Sequence, residues 1–161
     1  MNVTVDIQNA SAETVPEEGD ISHWISAALA AVIDDDNAPH EISLRLVDEP
    51  EMAELNSRYR DKSGPTNVLS FPSELPDDLA LPLLGDIVIC APIVRKEAQQ
   101  QGKALTAHWT HMAVHGTLHL LGFDHIDDEE AEQMESLETR ILAGLGLPCP
   151  YQSLSPNQAP Q

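Results

Sequence analysis

Three histidines near the end of a predicted helix are the residues of this sequence best suited to chemistry. His115 and His119 lie four positions apart, so an α-helix places their imidazoles on one face, one turn apart. His125 can join them only if the helix stops first, and Gly122 is placed to end it in a left-handed conformation. Three imidazoles on a tetrahedral ion leave one position open, which is typical of a catalytic zinc site. The spacing predicts one zinc ion on His115, His119 and His125, used for hydrolytic or phosphoryl-transfer chemistry.

The helix that carries this motif is predicted to be buried, because apolar residues cover most of its sides. Its polar stripe consists of His108, His111, His115 and His119. Burying a polar group without a partner costs about 1–3 kcal/mol, so a buried row of histidines favours a metal. His108 and His111 lie upstream of the predicted ligands. They are candidates for hydrogen bonds to the ligand side chains or for substrate contacts, and plain packing is the alternative.

Two aspartates are candidates to orient the ligand imidazoles through the second ring nitrogen. They are Asp86, before an apolar strand, and Asp124, directly before His125. For Asp124, helix capping or turn formation is the alternative.

The charge of the chain limits its substrates. A net charge of −19 over 161 residues repels nucleic acid at long range, so an RNA substrate requires a local basic site. Arg58, Arg60 and Lys62 form such a cluster, although cations at a solvated helix end are the alternative explanation. The planar guanidinium of Arg60 suits a phosphate, and Arg58 and Lys62 are weaker candidates for substrate binding.

The histidine spacing matches the metzincin proteases, which makes a zinc metallopeptidase one alternative function. Those enzymes carry a glutamate directly after the first histidine as the general base, and this chain has Gly116 there. A phosphodiester depends less on such a base, because a metal ion activates the nucleophile and polarises a phosphoryl oxygen. The residues therefore favour a nuclease over a peptidase.

Periodicity predicts the elements that position these residues. Strands are expected at 3–7, 41–47, 67–71 and 87–90, and helices at 21–32, 50–59, 92–101, 106–121 and 127–145. Asp20 and Asp127 are the predicted N-caps of the first and last helix. The order predicts an α+β fold, with a mixed four-stranded β-sheet, about five helices and a central buried histidine helix. Residues 1–147 are expected to form one domain, with an acidic turn at 34–36, a long connection at 72–82 and a disordered tail at 148–161.

Cysteine usage and hydropathy predict a cytoplasmic, soluble protein with no membrane association. Cys90 and Cys149 lie far apart and form no C-x-x-C pair, which fits a reducing compartment. The first residues alternate as a strand does and lack a basic n-region, so no signal peptide is expected.

Several blocks of the sequence resemble the YbeY family of bacterial metal-dependent endoribonucleases. They are residues 55–60 (LNSRYR), 65–72 (PTNVLSFP), 85–90 (GDIVIC), 108–109 (HW) and the full histidine motif. The resemblance runs from about residue 3 to 145. It implies a mixed four-stranded sheet, zinc on His115, His119 and His125, and Arg60 as the catalytic arginine.

The same resemblance implies a single-strand-specific endoribonuclease that matures the 3′ end of small-subunit (16S) ribosomal RNA and acts in ribosome quality control. Ribosomal RNA or ribosomal particles are then the expected partners, with a ribosomal protein or a GTPase as further candidates. Water and the ribose 2′-hydroxyl are both candidate nucleophiles. The non-enzymatic alternative is a ribosome-assembly factor with a structural zinc ion.

Overall fold

A mixed four-stranded sheet forms the centre of the protein, whose structure is a computed structural model. Its strands are β1 (Asn2–Asn9), β2 (Pro39–Val47), β3 (Val68–Pro72) and β4 (Leu83–Cys90), in the spatial order β1-β2-β4-β3. β1, β2 and β4 run parallel, and β3 pairs antiparallel with β4. β3 therefore lies at one edge of the sheet.

The structure describes residues 2–33, 38–73, 83–124 and 127–148. Several predicted features lie outside this part of the chain. They are the acidic turn at 34–36, most of the connection at 72–82, His125, and the tail beyond residue 148.

Five helices accompany the sheet in the described residues: α1 (Glu18–Val32), α2 (Glu49–Arg60), α3 (Ala91–Gln101), α4 (Leu105–Leu120) and α5 (Asp128–Gly144). The predicted α+β fold with a mixed four-stranded sheet is confirmed. At α5, the predicted cap Asp127 accepts a hydrogen bond from the backbone N–H of Glu130.

The predicted N-cap of α1 is wrong. The backbone N–H groups of Asp20 and Ile21 both donate to the carbonyl oxygen of Glu17, so the helix begins at Glu18. Asp20 lies inside the first turn, where the partial positive charge of the helix N-terminus still favours a carboxylate.

The two faces of the sheet pack against different helices, because successive strand side chains point to opposite sides. One face packs against α1, α3 and α4 through buried Ile42, Leu44, Leu46, Ile87 and Ile89. The other face packs against α2 through Val47, Leu69 and Val88, which cluster with Met52.

Helix α4 is the central element of the helical layer. It contacts α1, α3, α5 and strands β3 and β4, and eleven of its sixteen residues are buried. The prediction of a central buried histidine helix is confirmed. None of the helices described here is long and apolar enough to cross a membrane.

Candidate metal centre

His115 and His119 bring two imidazole nitrogens to one point on α4. Their Nε2 atoms lie 3.1 Å apart, and both side chains are half-buried. Two nitrogens bound at 2.0–2.1 Å to one tetrahedral zinc ion lie about 3.3 Å apart. The spacing and the donor chemistry of this pair therefore fit a shared metal ion.

The end of α4 has the geometry that the sequence predicts. Gly122 has φ 103°, its N–H donates to the carbonyl of His119, and the N–H of Phe123 donates to the carbonyl of Leu118. This bonding pattern is a Schellman motif, which ends the helix and turns the chain away from its axis. His125 itself lies outside the described residues, so its part in the site stays a prediction.

A buried glutamate on α5 determines which nitrogen of His115 can bind a metal. The Nδ1 atom of His115 lies 2.5 Å from Oε2 of Glu138, whose side chain is 0% exposed. A carboxylate only accepts hydrogen bonds, so His115 carries its proton on Nδ1 and donates it. In that tautomer the lone pair is on Nε2, which faces His119.

A second set of possible metal donors shares His115 with the first set. One ligand atom each from His111, His115 and Glu138 lie within 4.8 Å of one another. The Nδ1–Oε2 distance of 2.5 Å is that of a hydrogen bond, whereas two atoms bound to one tetrahedral zinc ion lie about 3.3 Å apart. In this geometry Glu138 orients the histidines, with His111 Nε2 at 3.5 Å from the same oxygen.

Glu138 was not among the predicted site residues, although the sequence contains a signal for it. Glu138 lies four residues after Met134 and three before Ile141, within the predicted buried stripe of the last helix. A carboxylate in such a stripe requires a polar partner. The prediction that Asp86 orients an imidazole is wrong, because Asp86 shares a sheet face with Val88, which packs against α2.

His108 belongs to a separate polar group at the start of α4. Its Nε2 atom lies 2.9 Å from Oε1 of Glu97, and the amide of Asn67 donates to the same carboxylate at 3.2 Å. Burial lowers the pKa of the His108 and His111 imidazoles, because it disfavours the charged form. A cavity of about 510 Å³ opens onto this group and onto His115.

Arg60 is connected to the histidine helix through β3. Its Nη2 atom donates to the carbonyl oxygen of Ser70 at 2.7 Å, and the hydroxyl of Ser70 donates to the carbonyl of Gly116 at 2.7 Å. Gly116 directly follows His115 along α4. Among the described residues, no carboxylate lies within ion-pairing distance of Arg60.

The other two predicted basic residues lie around the end of α2. Arg58 forms an ion pair with Glu54 at 2.8 Å on the exposed surface of the helix. Lys62 follows Asp61, which ends α2 in a left-handed conformation with φ 54°. Ion pairs as exposed as that of Arg58 contribute little stability, so a phosphate can displace its carboxylate partner.

Gly116 occupies the position where a metzincin peptidase has its catalytic glutamate. A Cβ atom there would lie 3.0 Å from Cγ2 of Val68 and 3.0 Å from Cγ2 of Ile87, both on the sheet. The position after His115 therefore faces closely packed strands, and a glutamate side chain has no room there.

Comparisons with known proteins identify the family of this chain. A model of the family described as endoribonuclease YbeY matches residues 6–146. The solution structure of TM1509 from Thermotoga maritima is similar over 88% of this chain and 91% of that chain, with 22% sequence identity and a TM-score of 0.54. At that identity the structural likeness concerns the fold alone, whereas the family match spans all of the described residues of the candidate site. The chain therefore belongs to the YbeY endoribonuclease family.

Proposed function

We propose that this protein is a zinc-dependent, single-strand-specific endoribonuclease that matures the 3′ end of small-subunit (16S) ribosomal RNA and acts in ribosome quality control. Its family supports an endoribonuclease in ribosomal RNA processing. The observation that carries the zinc assignment is the pair of Nε2 atoms of His115 and His119 at 3.1 Å, with Glu138 on the far side of His115.

In this proposal His115, His119 and His125 hold the ion. Zinc bound there would polarise a phosphoryl oxygen and activate the nucleophile. Glu138 keeps the His115 ring in the tautomer whose Nε2 lone pair faces the ion. Arg60 places its guanidinium on the phosphate and stabilises the negative charge that develops there. The carbonyl oxygen of Ser70 positions Arg60 by accepting a hydrogen bond from one of its N–H groups. The other N–H groups of the guanidinium can then donate to the phosphate.

The reaction is tested by incubating the purified protein with single-stranded RNA, duplex RNA and casein, each with and without a chelator. We expect cleavage of single-stranded RNA that the chelator abolishes, while duplex RNA and casein stay intact. Casein cleavage that depends on the metal, with intact RNA, would instead support the metallopeptidase.

The role of Arg60 separates an enzyme from a ribosome-assembly factor with structural zinc. We expect Arg60→Ala to lose roughly 100-fold or more in cleavage rate, because it removes a hydrogen-bond donor to the negative charge that develops on the phosphate. Its zinc content should be unchanged. Arg140→Ala, on the exposed side of α5, is the matched control and should keep the parent rate. Normal cleavage by Arg60→Ala would remove the catalytic assignment.

The two possible ligand sets are separated by metal analysis of purified variants. His119→Ala should lose the bound ion, because it removes one of the two Nε2 donors. His111→Gln should keep one ion per chain, since the proposed ion does not contact His111. The reverse result would place the metal on His111, His115 and Glu138.

The ribosomal role requires a test in cells. Replacing the chromosomal copy by the Arg60→Ala variant should cause precursors of small-subunit RNA with extended 3′ ends to accumulate. The parent protein should co-sediment with ribosomal particles, and crosslinking there tests whether a ribosomal protein or a GTPase is its neighbour. Mature 3′ ends in the variant strain would rule out the proposed step.

A further inference from the structure

Tyr59 is an exposed aromatic residue next to the proposed catalytic arginine. It leaves 58% of its surface accessible at the end of α2, directly before Arg60. In the described residues, Leu105 is the other large hydrophobic side chain with comparable exposure, at 42%. Buried Met52 packs α2 against the sheet, whereas Tyr59 is not among the buried residues of this helix.

Tyr59 is part of a surface in which rings and guanidinium groups alternate. Its ring centroid lies 5.4 Å from that of Phe71, with the ring planes at 69°. The Cζ atom of Arg58 lies 6.0 Å from the Tyr59 ring, and that of Arg60 lies 5.7 Å from the Phe71 ring. We call these four residues the aromatic platform. In an edge-to-face pair, each ring leaves at least one face uncovered by the other ring.

The position of this platform is fixed by the turn that ends α2. The backbone N–H of Lys62 donates to the carbonyl of Asn56, and the buried side chain of Asn56 donates to the carbonyl of Gly64 at 2.9 Å. The ring of Tyr59 also borders a cavity of about 700 Å³ on the α2 face of the sheet, which is within the range of small-ligand sites.

Electrostatics favour a non-ionic contact with RNA at the end of α2. The chain has a net charge of −19 and eight basic residues, of which Arg45, Arg58, Arg95 and Lys96 form ion pairs with glutamates. At the end of α2, the side chains that can contact phosphate are Arg60, Lys62 and, with displacement of Glu54, Arg58. Lys103 borders the separate cavity beside His108 and His115. Stacking of bases on aromatic rings binds a single strand without further positive charge, and it tolerates any sequence.

We propose that Tyr59 stacks on a nucleobase of single-stranded RNA, next to the phosphate that Arg60 holds. This inference rests on the proposed function and adds a substrate-binding residue to it. A duplex keeps its base faces stacked on one another, so only an unpaired base can use the ring. The platform thereby accounts for a preference for single strands in a chain that repels nucleic acid overall.

Binding of two labelled strands of equal length and charge tests this role. One strand carries all its bases as 2′-O-methyl nucleotides, and the other is abasic throughout. For the metal-loaded protein, we expect Tyr59→Ala to weaken binding of the base-containing strand about 5- to 150-fold, the range for loss of one stacked base. Binding of the abasic strand should not change, and Tyr59→Phe should bind both strands as the parent does. Equal effects of Tyr59→Ala on both strands, or no effect on either, would overturn the proposal.

A fluorescence measurement tests contact without relying on loss of function. Trp24 and Trp109 are both buried, so a tryptophan at position 59 reports on that site. We expect the emission of Tyr59→Trp to be quenched by the base-containing strand and not by the abasic strand. Leu105→Trp is the control, because it places an exposed indole away from the platform, and it should not respond. Absence of quenching in Tyr59→Trp while the strand is bound would contradict stacking.

The two proposals fail in different ways. A protein that neither binds nor cleaves single-stranded RNA removes the proposed function and, with it, the stacking role. A protein that cleaves RNA normally in the Tyr59→Ala variant, with unchanged affinity for the base-containing strand, removes the stacking role alone.

Discussion

In the proposed metal site His115 binds through Nε2, because a residue from another helix holds its second nitrogen. Glu138 is fully buried and lies 2.5 Å from Nδ1 of His115, so the ring is held in one tautomer and one orientation. Partners of this kind raise the basicity of a ligand histidine and reduce its motion. At the residue scale, Glu138 is therefore as much a part of the site as the histidines.

Replacing Glu138 tests this dependence. Glu138→Gln keeps an oxygen that can accept from His115 but removes the charge, and we expect metal affinity to fall roughly 10- to 100-fold. Competition with a chromophoric chelator measures the affinity. Glu132→Gln, on the exposed side of the same helix, is the control and should bind as the parent does. Unchanged affinity in Glu138→Gln would mean that the carboxylate does not act through the ligand.

The buried histidine His108 predicts how stability depends on pH. Burial lowers its pKa below the ordinary value of 6.5, so the unfolded chain binds a proton that the folded chain excludes. The contribution of His108 to the free energy of unfolding is fully present above pH 6.5. It decreases as the pH falls below that value towards the lowered pKa. Urea unfolding between pH 7.5 and 5.5 should therefore show a loss of stability that is smaller in His108→Gln. Equal pH dependence of the two proteins would contradict this assignment.

At the scale of elements, the site depends on how closely α4 approaches the sheet. Gly116 allows the helix backbone to lie against Val68 and Ile87. The same close approach lets the carbonyl oxygen of Gly116 accept a hydrogen bond from the hydroxyl of Ser70. The carbonyl oxygen of Ser70 also accepts a hydrogen bond from Arg60. The contact between α4 and the sheet therefore sets the distance between Arg60 and the histidines of α4. A change in helix packing should therefore alter the catalytic geometry as well as the stability.

Gly116→Ala tests this contact. Alanine favours a helix over glycine by up to about 1 kcal/mol, whereas overpacking typically costs about 1–3 kcal/mol. Both neighbours are β-branched and stiff, so we expect a net loss of about 1 kcal/mol in the free energy of unfolding. Gly144→Ala, where nothing lies within 4 Å of the added Cβ, should be neutral or stabilising. Denaturant unfolding of both variants provides the comparison, and equal stabilisation of both would show that α4 has room to shift.

At the scale of the whole molecule, the acidic charge restricts how RNA can bind. Each phosphate contact with a single strand contributes about −0.7 to the slope of log affinity against log salt concentration. With Arg58, Arg60 and Lys62 at the end of α2 as the phosphate contacts, we expect a slope of about −2 or shallower. Anisotropy titrations across a range of salt concentrations measure it. A much steeper slope would indicate a basic surface other than the one at the end of α2.

The sequence was sufficient for the features that depend on local patterns. Alternating and helical periodicity predicted the strands and helices, and the i, i+4 spacing predicted that His115 and His119 share a helix face. The stop at Gly122 was predictable because a left-handed residue that ends a helix is strongly biased towards glycine. The family was also recognisable, because its blocks are contiguous in the chain.

Contacts between distant residues required the tertiary structure. Glu138 lies 23 positions after His115, and only the packing of α5 on α4 brings the two side chains together. The same holds for Arg60, which reaches α4 through Ser70 on an edge strand. The N-cap at Glu17 was missed because Asp20 has the better capping side chain, whereas Glu17 makes no side-chain capping bond and the chain path before α1 sets the helix start. Local chemistry thus identifies which residues can react, and long-range packing decides which partners hold them in place.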